Sequence, residues 1–98
     1  QVLTNRIDFG MDVQAAGAAP RWRHEGSSDV DGHAMRDGGE VFLEPGFSVV
    51  AVDGLRIRGH RFSDAPQVFG GYQGIEIDHA RGVLLGGSDP RRDGCAMG

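Results

Sequence analysis

The stretch that decides the fold is residues 70–94, GGYQGIEIDHARGVLLGGSDPRRDG. Gln73, Ile75 and Ile77 alternate with Gly74, Glu76 and Asp78, the period of a half-buried strand. His79-Ala80-Arg81-Gly82 is a four-residue connection ending in a residue that tolerates positive φ, a common hairpin length. Val83-Leu84-Leu85 reads as a short apolar return strand, and Gly86-Gly87-Ser88-Asp89-Pro90-Arg91 reads as the segment that breaks the sheet. Pro90 removes a backbone donor and pushes Asp89 away from helix. Ser88 and Asp89 are the kind of residues that hydrogen-bond nearby backbone in turns. The expectation is an antiparallel hairpin with an ordered exit.

Outward from the hairpin, helical spacing of Val2, Leu3 and Ile7 predicts a short helix ended by Gly10 in the left-handed conformation. Asp12 is placed to cap a second short helix through Gln14, Ala15 and Ala16, which stops before Pro20. The stretch from Ala19 to His24 reads as extended, with Trp22 as a core anchor because it is the largest single apolar side chain. Residues 25–39, EGSSDVDGHAMRDGG, have no period and many turn formers, and are expected to be an exposed loop. Glu40 to Glu44 alternates and predicts a strand. Ser48 then caps a helix with Val49, Val52 and Leu55 facing inward and Gly59 closing it. His60-Arg61-Phe62 reads as a further strand. Short helices on an antiparallel sheet give an α+β class.

Composition narrows the function. With 98 residues, 39% hydrophobic and 24% charged, the chain is one small globular domain at most. The net charge is −4 and the ten basic residues, all arginine, are scattered. A nucleic-acid footprint needs a clustered basic face, so no nucleic-acid partner is expected. No apolar run reaches the ~18–20 residues of a membrane span, so no membrane partner is expected either.

The residues that invite chemistry do not assemble it. Cys95 is the lone cysteine, with no histidine near it in sequence. Asp29-Val30-Asp31-Gly32-His33 lacks the third oxygen ligand and the terminal Glu of a calcium loop. Gly70, Gly71 and Gly74 lack the Lys-Ser/Thr and the helix of a phosphate loop. His24, His33, His60 and His79 have no zinc-like spacing. Ser27, Ser28 and Ser88 have no nucleophile-elbow context. No catalytic, substrate-binding or metal residue is assigned, no cofactor is expected, and Asp89 and Arg91 read as residues that hold the tail in place.

The wording of the sequence says more. GGYQGI at 70–75 followed by GVLLGGSDPRRDGCAMG at 82–98 resembles the C-terminal end of the γ-glutamyltransferase (γ-glutamyltranspeptidase) family. Leu3-Thr4-Asn5, residues 7–11 with Gln14, residues 19–22, and Glu44 with Gly59-His60 agree and come in the family's order. The resemblance implies that residues 1–98 are one C-terminal segment of a small subunit within an αββα N-terminal-nucleophile sandwich. Family members arise from a precursor that cleaves itself, and the new N-terminal Thr attacks the γ-glutamyl carbonyl of a glutathione-type donor. The acyl group passes to an amino acid or to water, with a Gly-Gly backbone pair stabilising the oxyanion. Those groups lie upstream of the position matching Gln1, and Thr4 does not match the nucleophile.

The resemblance therefore implies a chain inactive alone, whose partner is the upstream part of its own precursor: the large subunit and the first part of the small one. Two alternatives stand beside it: a free-standing association module, and the tail of a related N-terminal-nucleophile acylase. Uncovered strand edges would favour self-association of the isolated piece. The compartment is left open between periplasm or secretion, which the resemblance favours, and the cytoplasm.

Overall fold

In the computed structural model, which describes residues 1–97, the chain divides into two units. One comprises residues 1–19 and 70–98, the other residues 20–69. Gly98, the last residue of the C-terminal motif, lies outside the described residues.

The first unit is built on the hairpin. Strand β3 (Gln73–Asp78) pairs antiparallel with β4 (Val83–Ser88), in a register that places Ile77 opposite Leu84 and Ile75 opposite Gly86. The connection is residues 79–82, and Gly82 takes φ 69°, a conformation that costs other L-residues energy. The Asp78 carboxylate accepts from the amides of Ala80 and Arg81, fixing the turn. Helix α1 (Val2–Ile7) ends at Asp8, and the chain leaves it through Gly10 at φ 64°. Helix α2 (Val13–Ala18) starts at Asp12, whose Oδ1 accepts from the Ala15 amide at 2.7 Å.

The hairpin departs from its reading in two ways. First, β4 runs through Gly86, Gly87 and Ser88 instead of breaking there. Those glycines stay paired because they admit close neighbours: a Cβ at Gly87 would stand 2.8 Å from the Val13 carbonyl oxygen. Second, the apolar side of β3 is the outer one. Ile75 and Ile77 are 73% and 59% exposed, and Leu84, opposite Ile77, 67%. Gly74, Glu76 and Asp78 take the half-buried side instead. Helix α2 seats on the glycine side, with Ala16 buried and Tyr72 wedged where Gly17 and Gly74 carry no Cβ. The Tyr72 hydroxyl donates to the Val13 carbonyl at 2.9 Å.

In the second unit, β1 (Trp22–Glu25) pairs antiparallel with β2 (Glu40–Leu43), Trp22 opposite Leu43. Residues 26–38, between them, are exposed. Helix α3 (Val49–Ile57) closes with both bonds of a Schellman motif: the Gly59 amide donates to Arg56 O and the His60 amide to Leu55 O, with Gly59 at φ 92°. Phe42 is buried, and the Arg56 guanidinium stands 5.4 Å over the Phe62 ring.

Here too some expectations fail. Trp22 is 47% exposed, because β1 buries its second half and not its first. Ser48 occupies the N-cap position of α3 but makes no side-chain capping bond. Of the three side chains expected inward, Val52 is half-buried, Leu55 is exposed, and Val49 is 72% exposed. Residues 60–62 contribute one parallel bridge, Phe62 to Val41, and no strand. The class is α+β, with short helices and antiparallel sheets.

Candidate functional site

The densest polar construction in the first unit is where β4 leaves the sheet. Asp89 is completely buried. Its Oδ1 accepts from the Arg91 amide at 3.0 Å and from Arg91 Nε at 2.7 Å. The other end of that guanidinium donates to the Gly17 carbonyl at 2.7 Å and the Ala19 carbonyl at 3.4 Å. Those are carbonyls at the C-terminal end of α2, where unpaired acceptors and the helix dipole both favour a cation. The Asp89 amide donates to Tyr72 O, and Arg92 Nε and Nη2 donate to Gly70 O at 3.2 and 2.8 Å. Gln14 extends the ladder by its side chain: Nε2 donates to Ser88 O at 2.8 Å and Oε1 accepts from the Ser88 amide at 3.0 Å. One aspartate and two arginines thus tie the exit of the hairpin to α2 and to the entry of β3.

Two further ion pairs fix the elements. Arg6 of α1 holds Glu76 of β3 by two parallel bonds, Nη2 to Oε1 and Nε to Oε2, the latter 2.7 Å. The hydrogen bonds from Arg6, and then its charge, hold the Glu76 carboxyl below the usual carboxylate range. In the second unit Arg21 clasps Glu44 from Nε at 2.9 Å and Nη2 at 2.6 Å, while its amide donates to Glu44 Oε2 at 2.9 Å. Both side chains are nearly covered, at 13% and 12% exposure, the setting in which a bidentate pair is strong. The register of β1 and β2 sets residue 21 opposite residue 44, so strand pairing was the signal that joins these two motif positions.

The residues that invited chemistry stay apart or are occupied with structure. Cys95 is exposed. Asp29 spends Oδ1 on the amides of Asp31 and His33 and faces His33 Nδ1 at 3.3 Å, a local turn. No group of three potential metal-binding side chains occurs among the described residues. Gly70 presents its carbonyl to Arg92, the reverse of a phosphate cradle. Thr4 sits inside α1, its carbonyl accepting from Asp8 and Phe9.

One pair escaped the sequence: His24 Nδ1 lies 2.9 Å from Ser27 Oγ. Its other ring nitrogen lies 2.8 Å from Gly38 O, so the imidazole pins the base of the exposed loop.

The arrangement is a set of clamps that order polypeptide, and the Ser27–His24 contact belongs to the base of the exposed loop. Comparison with known proteins places the whole chain within one family. The family described as Gamma-glutamyltranspeptidase matches residues 1–98. A glutathione hydrolase-like YwrD proenzyme of Bacillus subtilis (strain 168) is 30% identical over 99% of this chain and 18% of its own length. A glutathione hydrolase proenzyme of Escherichia coli (strain K12) is 32% identical over 93% of this chain and 14% of its own. Among solved structures, a γ-glutamyltranspeptidase from Pseudomonas nitroreducens complexed with L-DON superposes with TM-score 0.73 at 29% identity, covering 99% of this chain and 46% of that one. The chain spans less than a fifth of the length of these curated relatives. Matching it from first residue to last, the chain belongs to the γ-glutamyltranspeptidase family.

Proposed function

We propose that residues 1–98 are one C-terminal structural segment of a γ-glutamyltransferase-like enzyme. In that enzyme a γ-glutamyl group passes from a glutathione-type donor to an amino acid or water. The nucleophile is an N-terminal Thr carried by polypeptide outside this chain, its own α-amino group serving as base. The partners of the segment are the large subunit and the first part of the small subunit of the same precursor. Its clamps, Asp89–Arg91, Arg6–Glu76 and Arg21–Glu44, hold helices and strands in place for a site they do not touch.

The observation that carries this reading is the family match over all 98 residues, beside relatives that match 93–99% of the chain and of which it spans only 14–18%. Two assays test it. A γ-glutamyl anilide incubated with the 98-residue chain should release no more product than with a denatured control; turnover would refute the reading. Exchanging this chain for the matching segment of the E. coli relative should give a precursor that still cleaves itself and turns over the anilide.

A further inference from the structure

We propose that Asp37–Gly38 is a modification site: the Asp37 carboxyl and the Gly38 amide nitrogen close a succinimide, whose hydrolysis leaves isoaspartate. The inference stands on turn geometry and does not rest on the γ-glutamyl reading. The sequence holds four Asp-Gly pairs, beginning at Asp31, Asp37, Asp53 and Asp93, and the structure separates them. At Asp37 the chain makes a two-residue turn. The Gly39 amide donates to Arg36 O at 3.1 Å, and Asp37 and Gly38 both have positive φ, 54° and 71°, the type I′ form. Both central residues are exposed. The peptide plane between them is the loose part. Among the described residues, neither the Asp37 carbonyl nor the Gly38 amide takes a hydrogen bond, and nothing pairs with the Asp37 carboxylate. Turning that plane over converts type I′ to type II′ and keeps the bond from Gly39 to Arg36. Gly38 accepts the change of φ because it has no Cβ, and its carbonyl stays 2.8 Å from His24 Nε2. In type II′ the first central residue has ψ of about −120°. On an L-residue that value eclipses the Gly38 nitrogen with the Asp37 Cβ, the arrangement a five-membered ring through Cγ requires.

The step needs only water. The Gly38 nitrogen bonds to Cγ, the Cγ–OH bond breaks, and the amide proton leaves with that hydroxyl as water. Hydrolysis of the ring at Cγ restores aspartate. Hydrolysis at the main-chain carbonyl carbon leaves Gly38 joined through Cγ, with a free α-carboxylate and one more methylene in the main chain. The other three pairs are held. Asp53 and Gly54 lie within α3, and Arg56 Nη1 stands 3.2 Å from the Asp53 carboxylate. The Gly32 amide donates to Asp29 O at 3.4 Å. At Gly94 a Cβ would run into the Gln73 and Ser88 side chains, so the backbone there is packed.

The test uses the exchanged precursor, aged in mildly acidic water enriched in heavy oxygen, so that every ring opening leaves a label. Peptide mapping with fragmentation that separates isoaspartate from aspartate reads each pair. Asp37 should take up label and form isoaspartate fastest of the four, about tenfold or more ahead of Asp53, whose helix must first open. In urea, where no turn or helix persists, the four should level, and Asp37 should be no slower in the native protein than in urea. Gly38→Ala, which crowds the attacking nitrogen and resists both values of φ, should slow the site severalfold. Asp37→Glu, which would need a six-membered ring, should remove the leading signal. The proposal is overturned if Asp37 trails Asp31 or Asp93 in the native protein, if it reacts more slowly there than in urea, or if Gly38→Ala leaves its labelling unchanged. Anilide turnover of the same sample is read separately. Its loss counts against the proposed function, and the ranking of the four pairs decides this inference.

Discussion

Asp89 and Arg91 show what a single side chain contributes here. Asp89 has no exposed surface, and its Oδ1 serves two donors of Arg91. Replacing it with alanine removes the acceptor of the Arg91 Nε and of the Arg91 backbone amide, a loss of about 1–3 kcal/mol. Asp89→Ala should lower the urea midpoint accordingly, with Asp89→Asn retaining part of the loss because its amide oxygen still accepts. Glu76 gives a pH signature instead. Its carboxyl is held below the usual range by Arg6, so its contribution is present above the unfolded value of about 4.3 and disappears as pH falls through the lower folded value. Urea midpoints of the wild type and Glu76→Gln should therefore differ at pH 7 and converge toward pH 3. A gap that is the same at both would show that the ion pair does not act. Asp89 and Arg91, two positions apart, could be read together from the sequence as holding the tail. The partner of Glu76 could not: Arg6 and Glu76 stand seventy positions apart, and no local pattern encodes a contact of that range.

At the scale of elements, local chemistry was legible and packing was not. Gly82 and Asp12 behave as their conformational limits dictate, so the hairpin and the start of α2 could be read from single residues. The same holds for the end of α3 at Gly59. Alternation found β3, but it could not say which side faces α2. Glycine decided that: Gly87 lets the helix backbone approach, and the isoleucines are left outside. The run Gly86-Gly87 looked like a break for the same reason, since glycine usually weakens a strand unless another backbone comes close. Substitution should separate the two positions. A Cβ at Gly87 meets the Val13 carbonyl oxygen and carbonyl carbon, both backbone, at 2.8 and 3.0 Å, whereas at Gly86 the close contact is the Ala96 Cβ of the tail, with its Cα at 3.9 Å. Gly87→Ala should cost about 1–3 kcal/mol, as overpacking does, and Gly86→Ala measurably less. Equal denaturation midpoints for the two variants would contradict the packing of α2 on this face.

For the whole molecule, the balance between covered and uncovered apolar surface is unusual. Ala16 and Phe42 are the buried hydrophobic residues of the core, while Leu3, Ile7, Phe9, Val50, Ile57 and Ile75 are each at least 70% exposed. The heat capacity of unfolding follows apolar exposure, at about 12–15 cal/mol/K per residue for ordinary domains, or about 1.2–1.5 kcal/mol/K at this length. A chain that hides so little before it unfolds has little to expose when it does. Calorimetry of the 98-residue polypeptide, dilute enough to be monomeric, should therefore give less than about half that figure. The exchanged precursor, in which the proposed surroundings cover these side chains, should unfold with the full per-residue value. A dilute monomer that reaches about 1.2 kcal/mol/K would mean the exposed isoleucines and valines are already packed in solution. In that case the chain needs no covering polypeptide, and neither a second copy nor an upstream subunit is required to explain its sequence.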